Sequence, residues 1–141
     1  MVDIAQGDRG EIELVGRDGR GFGFVPVSVI YGPNSVTTSF FVADRAYRIK
    51  TIICRPEVAG TDAGAVSAVI RKVPAGTAAG SGTAVQSGSF NLKGTAAANQ
   101  SAALSATDSD LNLAQNEALA VTFTGTLTAA VGAITVNLCP R

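Results

Sequence analysis

Residues 118–138 read ALAVTFTG, TLTA, AVGAITVNL, and this stretch decides the fold. In its first half Leu119, Val121 and Phe123 alternate with Ala120, Thr122 and Thr124. In its second half Ile134, Val136 and Leu138 alternate with Ala133, Thr135 and Asn137. A period of two buries one face of a strand and wets the other. Gly125 and the short Thr/Leu/Thr run offer a point of reversal, so the stretch is expected to form a closing antiparallel hairpin. Its wet side carries no charge at all. A flat, neutral Thr/Ala surface is one that a partner can cover, which makes Thr122 and Thr135 candidate contact residues.

Working outward, the segment SVTTSFFVA from Ser35 is rich in β-branched and aromatic residues. RAYRIKTIICRP follows, with Tyr47, Ile49, Thr51 and Ile53 expected on one face, Arg48 and Lys50 on the other, and Pro56 ending the strand. EVAGTDAG is turn chemistry, and GAVSAVIRKV sets Val66, Ala68 and Ile70 against Ser67, Val69 and Arg71. Pro74 to Gly82 is a loop of small residues. TAVQ, SFNL, SAALSA and LNL are short strand candidates. About eight short strands with Gly/Pro-rich turns and no sustained helical period point to an all-β protein. Eight strands is the jelly-roll number. The expectation is a jelly-roll-like antiparallel β-sandwich over residues 36–141. An immunoglobulin-like sandwich is the neighbouring alternative, without the Trp of true immunoglobulin domains.

Residues 1–35 differ in texture and are expected to form an N-terminal arm with a first strand. Glycines at 16, 19, 21 and 23 interrupt a candidate strand EIELV and the run GFGFVPVSVIY, which shows no clean periodicity. Phe22, Phe24, Val27, Ile30 and Tyr31 are apolar residues in search of a surface. The expectation is that Gly21 to Tyr31 makes intersubunit contact, by strand addition or by burying Phe22 and Phe24.

Composition narrows the function. The 141 residues are enough for one domain with a core. Eleven basic and 11 acidic residues cancel, which argues against a nucleic-acid binder or an anionic-membrane binder. No apolar run approaches the ~18 residues of a membrane helix. No signal-peptide pattern follows Met1, so synthesis in a host cytoplasm is expected. Charged residues make up 16%, against about 25% in typical domains. That suits a surface designed to be covered.

No constellation carries catalysis. Histidine is absent, which removes Ser/His and Cys/His nucleophilic pairs. Cys54 and Cys139 are too few for a disulfide framework or a zinc site. Glu57, Asp62, Asp108, Asp110 and Glu117 all lie in or beside turns, which attract acidic residues for backbone reasons. Asp108-Ser109-Asp110 opens like a calcium loop, but Leu113 and Leu119 stand where the glycine and the bidentate glutamate belong. The reading is a non-enzyme with no cofactor and no metal.

The run FFVADRAYRIKTIICRPEVAGTDAGAVSAVIRKVPAGTAAGSG, with NLKGTAAANQSAALSATDSDLNLAQNEALAVTFTGTLTAAVGAITVNL, resembles small decoration (cement) proteins on the heads of tailed bacteriophages. The resemblance runs over roughly residues 36–138 and does not reach the arm. It implies a jelly roll, self-association, and attachment to the outer surface of an assembled capsid of major capsid protein. A dimer is expected over a trimer. The alternative is a carbohydrate-binding β-sandwich of a phage fibre, for which Tyr31 and Tyr47 are the only tyrosines available to stack on a sugar.

Overall fold

Alternation along the chain becomes strand after strand in the computed structural model, which describes residues 23–141. The longer strands are β1 (Val25–Tyr31), β2 (Thr38–Val42), β3 (Tyr47–Val58) and β4 (Ser67–Val73). Six fragments follow: β5 (Thr83–Ala84), β6 (Gln86–Ser87), β7 (Phe90–Asn91), β8 (Gln100–Ser101), β9 (Ala103–Leu104) and β10 (Asn112–Leu113). The chain closes with β11 (Ala118–Thr124) and β12 (Val131–Pro140). Among the described residues, helical structure is confined to the 3-10 turns Ala79–Ser81 and Asp108–Leu111.

The strands form two five-stranded antiparallel sheets and a small β9–β6 ribbon. One sheet runs β10–β3–β12–β1, with β8 also on β3; the other runs β2–β11–β4–β5, with β7 also on β4. Because β12 pairs along β3 and β11 along β4, the fragments β8 and β10 share the remaining edge of β3, and β5 and β7 that of β4. Each couple behaves as one interrupted strand. Among the described residues eight strands then remain in the two sheets: the first, eighth, third and sixth in one, the second, seventh, fourth and fifth in the other. That interleaving is jelly-roll winding, as the strand count suggested.

The sheets face each other over one core. Tyr31, Ile52, Cys54, Ile134, Val136 and Leu138 come from one side, and Ala68, Ile70, Leu119 and Val121 from the other. Phe90 and Leu92, beside the interrupted strand, close one flank. The carboxamide of Gln100 clasps that flank: its Oε1 accepts from the Asn91 N–H at 3.0 Å and its Nε2 donates to the Asn91 carbonyl at 2.7 Å. One side chain thus stands in for a strand neighbour and ties β8 to β7 across the two sheets.

Several expectations need correction. The closing stretch is not a hairpin. β11 pairs with β4 and β2, whereas β12 pairs with β3 and β1, so the two halves lie in opposite sheets. The connecting residues cross the end of the sandwich with Leu127 and Ala130 buried. Gly125 starts this crossing at φ 86°, where a Cβ would collide with the Ala65 carbonyl. The physical reason is that both apolar faces want the same core, and facing each other across it buries more than lying side by side. In β3 the ladder to β12 shifts between Asn137 and Leu138, so Tyr47 and Ile49 point inward but Thr51 and Ile53 do not; Ile52 and Cys54 take the inner positions. Pro56 does not end that strand, which continues to Val58. Ala120, expected to be wet, is 0% exposed. The small-residue loop lies over that part of the outer surface, where Arg71 Nη1 donates to the Gly82 carbonyl at 3.0 Å.

The segment from Val25 to Tyr31 is not a free arm. It pairs with β12 along its whole length. Deletion of residues 1–30 would therefore remove a sandwich strand. The alternation that marks it (Val25, Val27, Val29, Tyr31 inward) was obscured by the apolar Ile30 in the polar phase.

Candidate functional site

The outer face of the β3–β12–β1 sheet is built of cross-strand rows. Thr51, Asn137 and Pro26 form one row, and Ile53, Thr135 and Ser28 the next, with Ser101 of β8 continuing it beyond Ile53. Arg55, Ala133 and Ile30 form the third. Alternation directs these side chains outward because their neighbours Val27, Val29, Ile52, Cys54, Ile134 and Val136 are drawn to the core.

The polar groups of this face satisfy one another. Ser28 Oγ and Thr135 Oγ1 are 2.8 Å apart, and Asn137 Nδ2 donates to Thr51 Oγ1 at 2.8 Å. Arg55, the charged member of the rows, donates from Nε to Glu57 Oε2 at 2.7 Å. The rows are therefore flat, net neutral and internally hydrogen-bonded, so covering them desolvates few unpaired donors. Beside them Ile30 is 78% exposed and Phe24 56%. Both leave large apolar side chains in contact with solvent at the border of this neutral sheet.

The sequence-derived contact residues distribute as follows. Phe24, Ile30 and Thr135 lie on or beside this face. Val27 points the other way and packs against the core. Tyr31 is 1% exposed and belongs to the core, opposite Gly132, whose missing side chain makes room for its ring. Thr122 belongs to the other sheet, half-buried, its Oγ1 accepting from Arg71 Nε at 3.0 Å. Thr122 and Thr135 therefore do not form one surface. Phe22 lies outside the described residues. Asn137 was already on the wet side of its strand in the sequence, but Ser28, Thr51 and Ile53 were not placed beside it; the alternation of VPVSVIY and the bulge in β3 are what place them.

Cavities flank the sandwich among the described residues. One, about 230 Å³, opens between β1 and β11 and is lined by Val29, Ile30, Val36, Val121 and Phe123 with a few polar neighbours. Another, about 450 Å³, lies by Ala63–Ser67. Its Lys93 ammonium donates to the carbonyls of Asp62 at 2.6 Å and Gly64 at 3.0 Å, which ties the loop down.

Several titratable groups have structural partners. Asp108 pairs with Arg48 at 2.6 Å, and that guanidinium holds its carboxyl below the usual range. Asp110 accepts from the Ser105 hydroxyl at 2.6 Å. Burial pushes the Cys54 thiol up to about 11, opposed by the Tyr31 hydroxyl 3.9 Å away. Burial, reinforced by Cys54, raises the Tyr31 phenol as well. At neutral pH Cys54 is a protonated core thiol. Among the described residues no group of three or more His, Cys, Asp or Glu side chains is placed to hold a metal ion.

No protein-family model matches the chain, and no curated protein matches it by sequence. Solved structures do share its shape. A chain from the capsid of Ralstonia phage GP4 superposes with a TM-score of 0.60 at 10% identity, covering 97% of this chain and 94% of that one. A chain of the cyanophage Pam1 capsid asymmetric unit gives a TM-score of 0.47 at 15% identity, covering 89% and 91%. At such identities the first likeness establishes the fold: the sandwich is shared from end to end with a protein of a phage capsid.

Proposed function

We propose that the chain is a structural virion protein that binds the outer surface of an assembled phage capsid as a homo-oligomer and cements neighbouring major capsid protein subunits. The observation that carries this reading is the end-to-end match, over 97% of the chain, to a chain of a phage capsid. The neutral outer face of the β3–β12–β1 sheet, with Phe24 and Ile30 exposed beside it, supplies the contact surface. A protein of this kind stabilises by mass action, because it binds the assembled lattice and not the free subunit. A shell repeats each binding place, so an oligomer gains avidity from several weak contacts. A dimer is the expected state, by the prevalence of two-fold association.

The alternative of glycan binding finds no support in the aromatic residues. Tyr31 and Tyr47 are 1% and 5% exposed, and the chain has no tryptophan.

The test is co-sedimentation with purified heads lacking the protein, beside a control with unassembled capsid protein. Saturable binding to heads alone is expected, and bound heads should withstand heat or denaturant better than bare ones. Failure to bind heads, or equal binding to free subunits, overturns the reading.

A further inference from the structure

We propose that a second copy of this chain docks on the flank where β1 passes to β2, with Val36 of each copy entering the cavity beside Ile30 of the other. This contact rests on the reading of a self-associating virion protein, and it assigns one surface to the second copy and another to the capsid.

The two flanks of the sandwich differ. On one, the couples β8/β10 and β5/β7 lie along β3 and β4, and the Gln100 carboxamide joins them across the sheets. On the other, the connection from β1 to β2 crosses between the sheets beside the cavity of about 230 Å³. Val29 and Ile30 of β1, Val36 of the connection, and Val121 and Phe123 of β11 supply its apolar lining. A turn at Pro33-Asn34 sets the local shape. The Ser35 N–H donates to the Gly32 carbonyl at 3.0 Å, and the Gly32 N–H donates to Ser35 Oγ at 2.8 Å. Val36, just past this turn, is 69% exposed, beside Ile30 at 78%.

Charge selects a second copy as the occupant. A two-fold contact sets a patch against itself, so a net charge there would repel its own copy. None of the residues lining the cavity is charged. Arg55, which shares a cross-strand row with Ile30, lies two strands away on β3 and pairs with Glu57. The ion pairs Arg48–Asp108 and Arg45–Asp44 lie at the opposite end of β3. Knob and hollow also sit side by side, so one patch carries both halves of a self-fitting contact.

The outer face of the β3–β12–β1 sheet sets the direction of the axis. A face-to-face pair would hide the rows that are to rest on the shell. A two-fold axis perpendicular to that face instead joins flank to flank and turns both outer faces the same way. Two attachment faces then lie side by side, the arrangement that avidity requires.

The test is the sedimentation mass of the full chain, with co-sedimentation on heads run on the same samples. The parent should be a dimer. Val36 lies outside any strand and Ile30 is an exposed strand position, so Val36→Asp and Ile30→Asp should both keep the circular dichroism of the parent. Each should weaken self-association about 30-fold or more, the loss expected at the centre of an interface. Thr135→Lys, on the outer face, should stay dimeric while losing heads. A monomeric parent, or dimers that survive both aspartate substitutions, would overturn the proposal. So would loss of heads by Val36→Asp with its dimer intact, which would seat the capsid protein in the cavity. A dimer that depends on Val36 and Ile30 but binds no head would support this contact and remove the capsid reading. A monomeric parent that binds heads would do the reverse.

Discussion

Gly132 lies opposite Tyr31 in the β12–β1 ladder, and a Cβ at Gly132 would fall 2.5 Å from both the Tyr31 hydroxyl oxygen and the Arg55 carbonyl oxygen. Neither neighbour yields easily, since one is backbone and the other is the end of a buried ring. Gly132→Ala should destabilise the protein by about 1–3 kcal/mol in urea denaturation, the usual range for overpacking. Tyr31→Phe removes the hydroxyl but leaves the ring carbon that bore it, 2.7 Å from the same Cβ, as well as the Arg55 carbonyl. The same glycine substitution in that background should therefore cost less, though not nothing, and equal costs in the two backgrounds would show that the hydroxyl contact is not felt.

That relationship shows what sequence alone conveys here. Alternation in 118–138 identified both strands and their inward residues, and the count of short strands pointed to the jelly roll. It did not show that the two strands separate into opposite sheets, because alternation reports which residues face a core and not which strand lies alongside. The bulge in β3 was equally hidden: a one-residue shift swaps Thr51 and Ile53 for Ile52 and Cys54, and a residue-by-residue period cannot locate it. The outer face of the β3–β12–β1 sheet was legible in part. Alternation in its own strand puts Thr135 on the outer side, but Ser28 and Ile53, which border it through other strands, needed the pairing.

Stability should fall as alkaline pH rises. In the unfolded chain Cys54 loses its proton near its ordinary value of 9.0, whereas in the folded protein it holds it up to about 11. Between those values the unfolded state binds fewer protons, so raising the pH favours unfolding; below about 9 the contribution is fully present. The Tyr31 phenol, also raised, acts in the same direction. Denaturation midpoints followed across this window should decline, and Cys54→Ser should flatten the decline. An unchanged slope in that variant would assign the effect to other groups.

Gln86 is 5% exposed, and its Oε1 accepts from the Ile70 N–H at 2.9 Å. Gln86→Leu keeps the bulk but leaves that N–H in the core without an acceptor. A loss of about 1–3 kcal/mol is expected from denaturant unfolding, the cost of an unsatisfied buried donor. A neutral result would mean that Ile70 finds another acceptor.

Thr135→Lys and Thr122→Lys separate contact from folding. Thr135 stands on the flat outer face, where a lysine reaches solvent, so the melting temperature should change little while head binding is lost. Thr122 accepts from the Arg71 guanidinium in a half-buried position. A lysine there sets two cations together and lowers stability whether or not a partner exists. If Thr135→Lys binds heads as well as the parent, the outer face is not the attachment surface.

The position of β12 also bears on how the chain comes into being. These 10 residues come after every other described strand, yet they form the middle of their sheet, and among the described residues β1 has no other ladder partner. β1 must therefore wait for β12, more than 100 residues later in the chain, before it can pair. A product of premature termination would lack the strand that joins β1 to β3 and could not mimic the finished molecule. Synthesis thereby acquires a built-in inspection step: only a chain translated through β12 has the means to close.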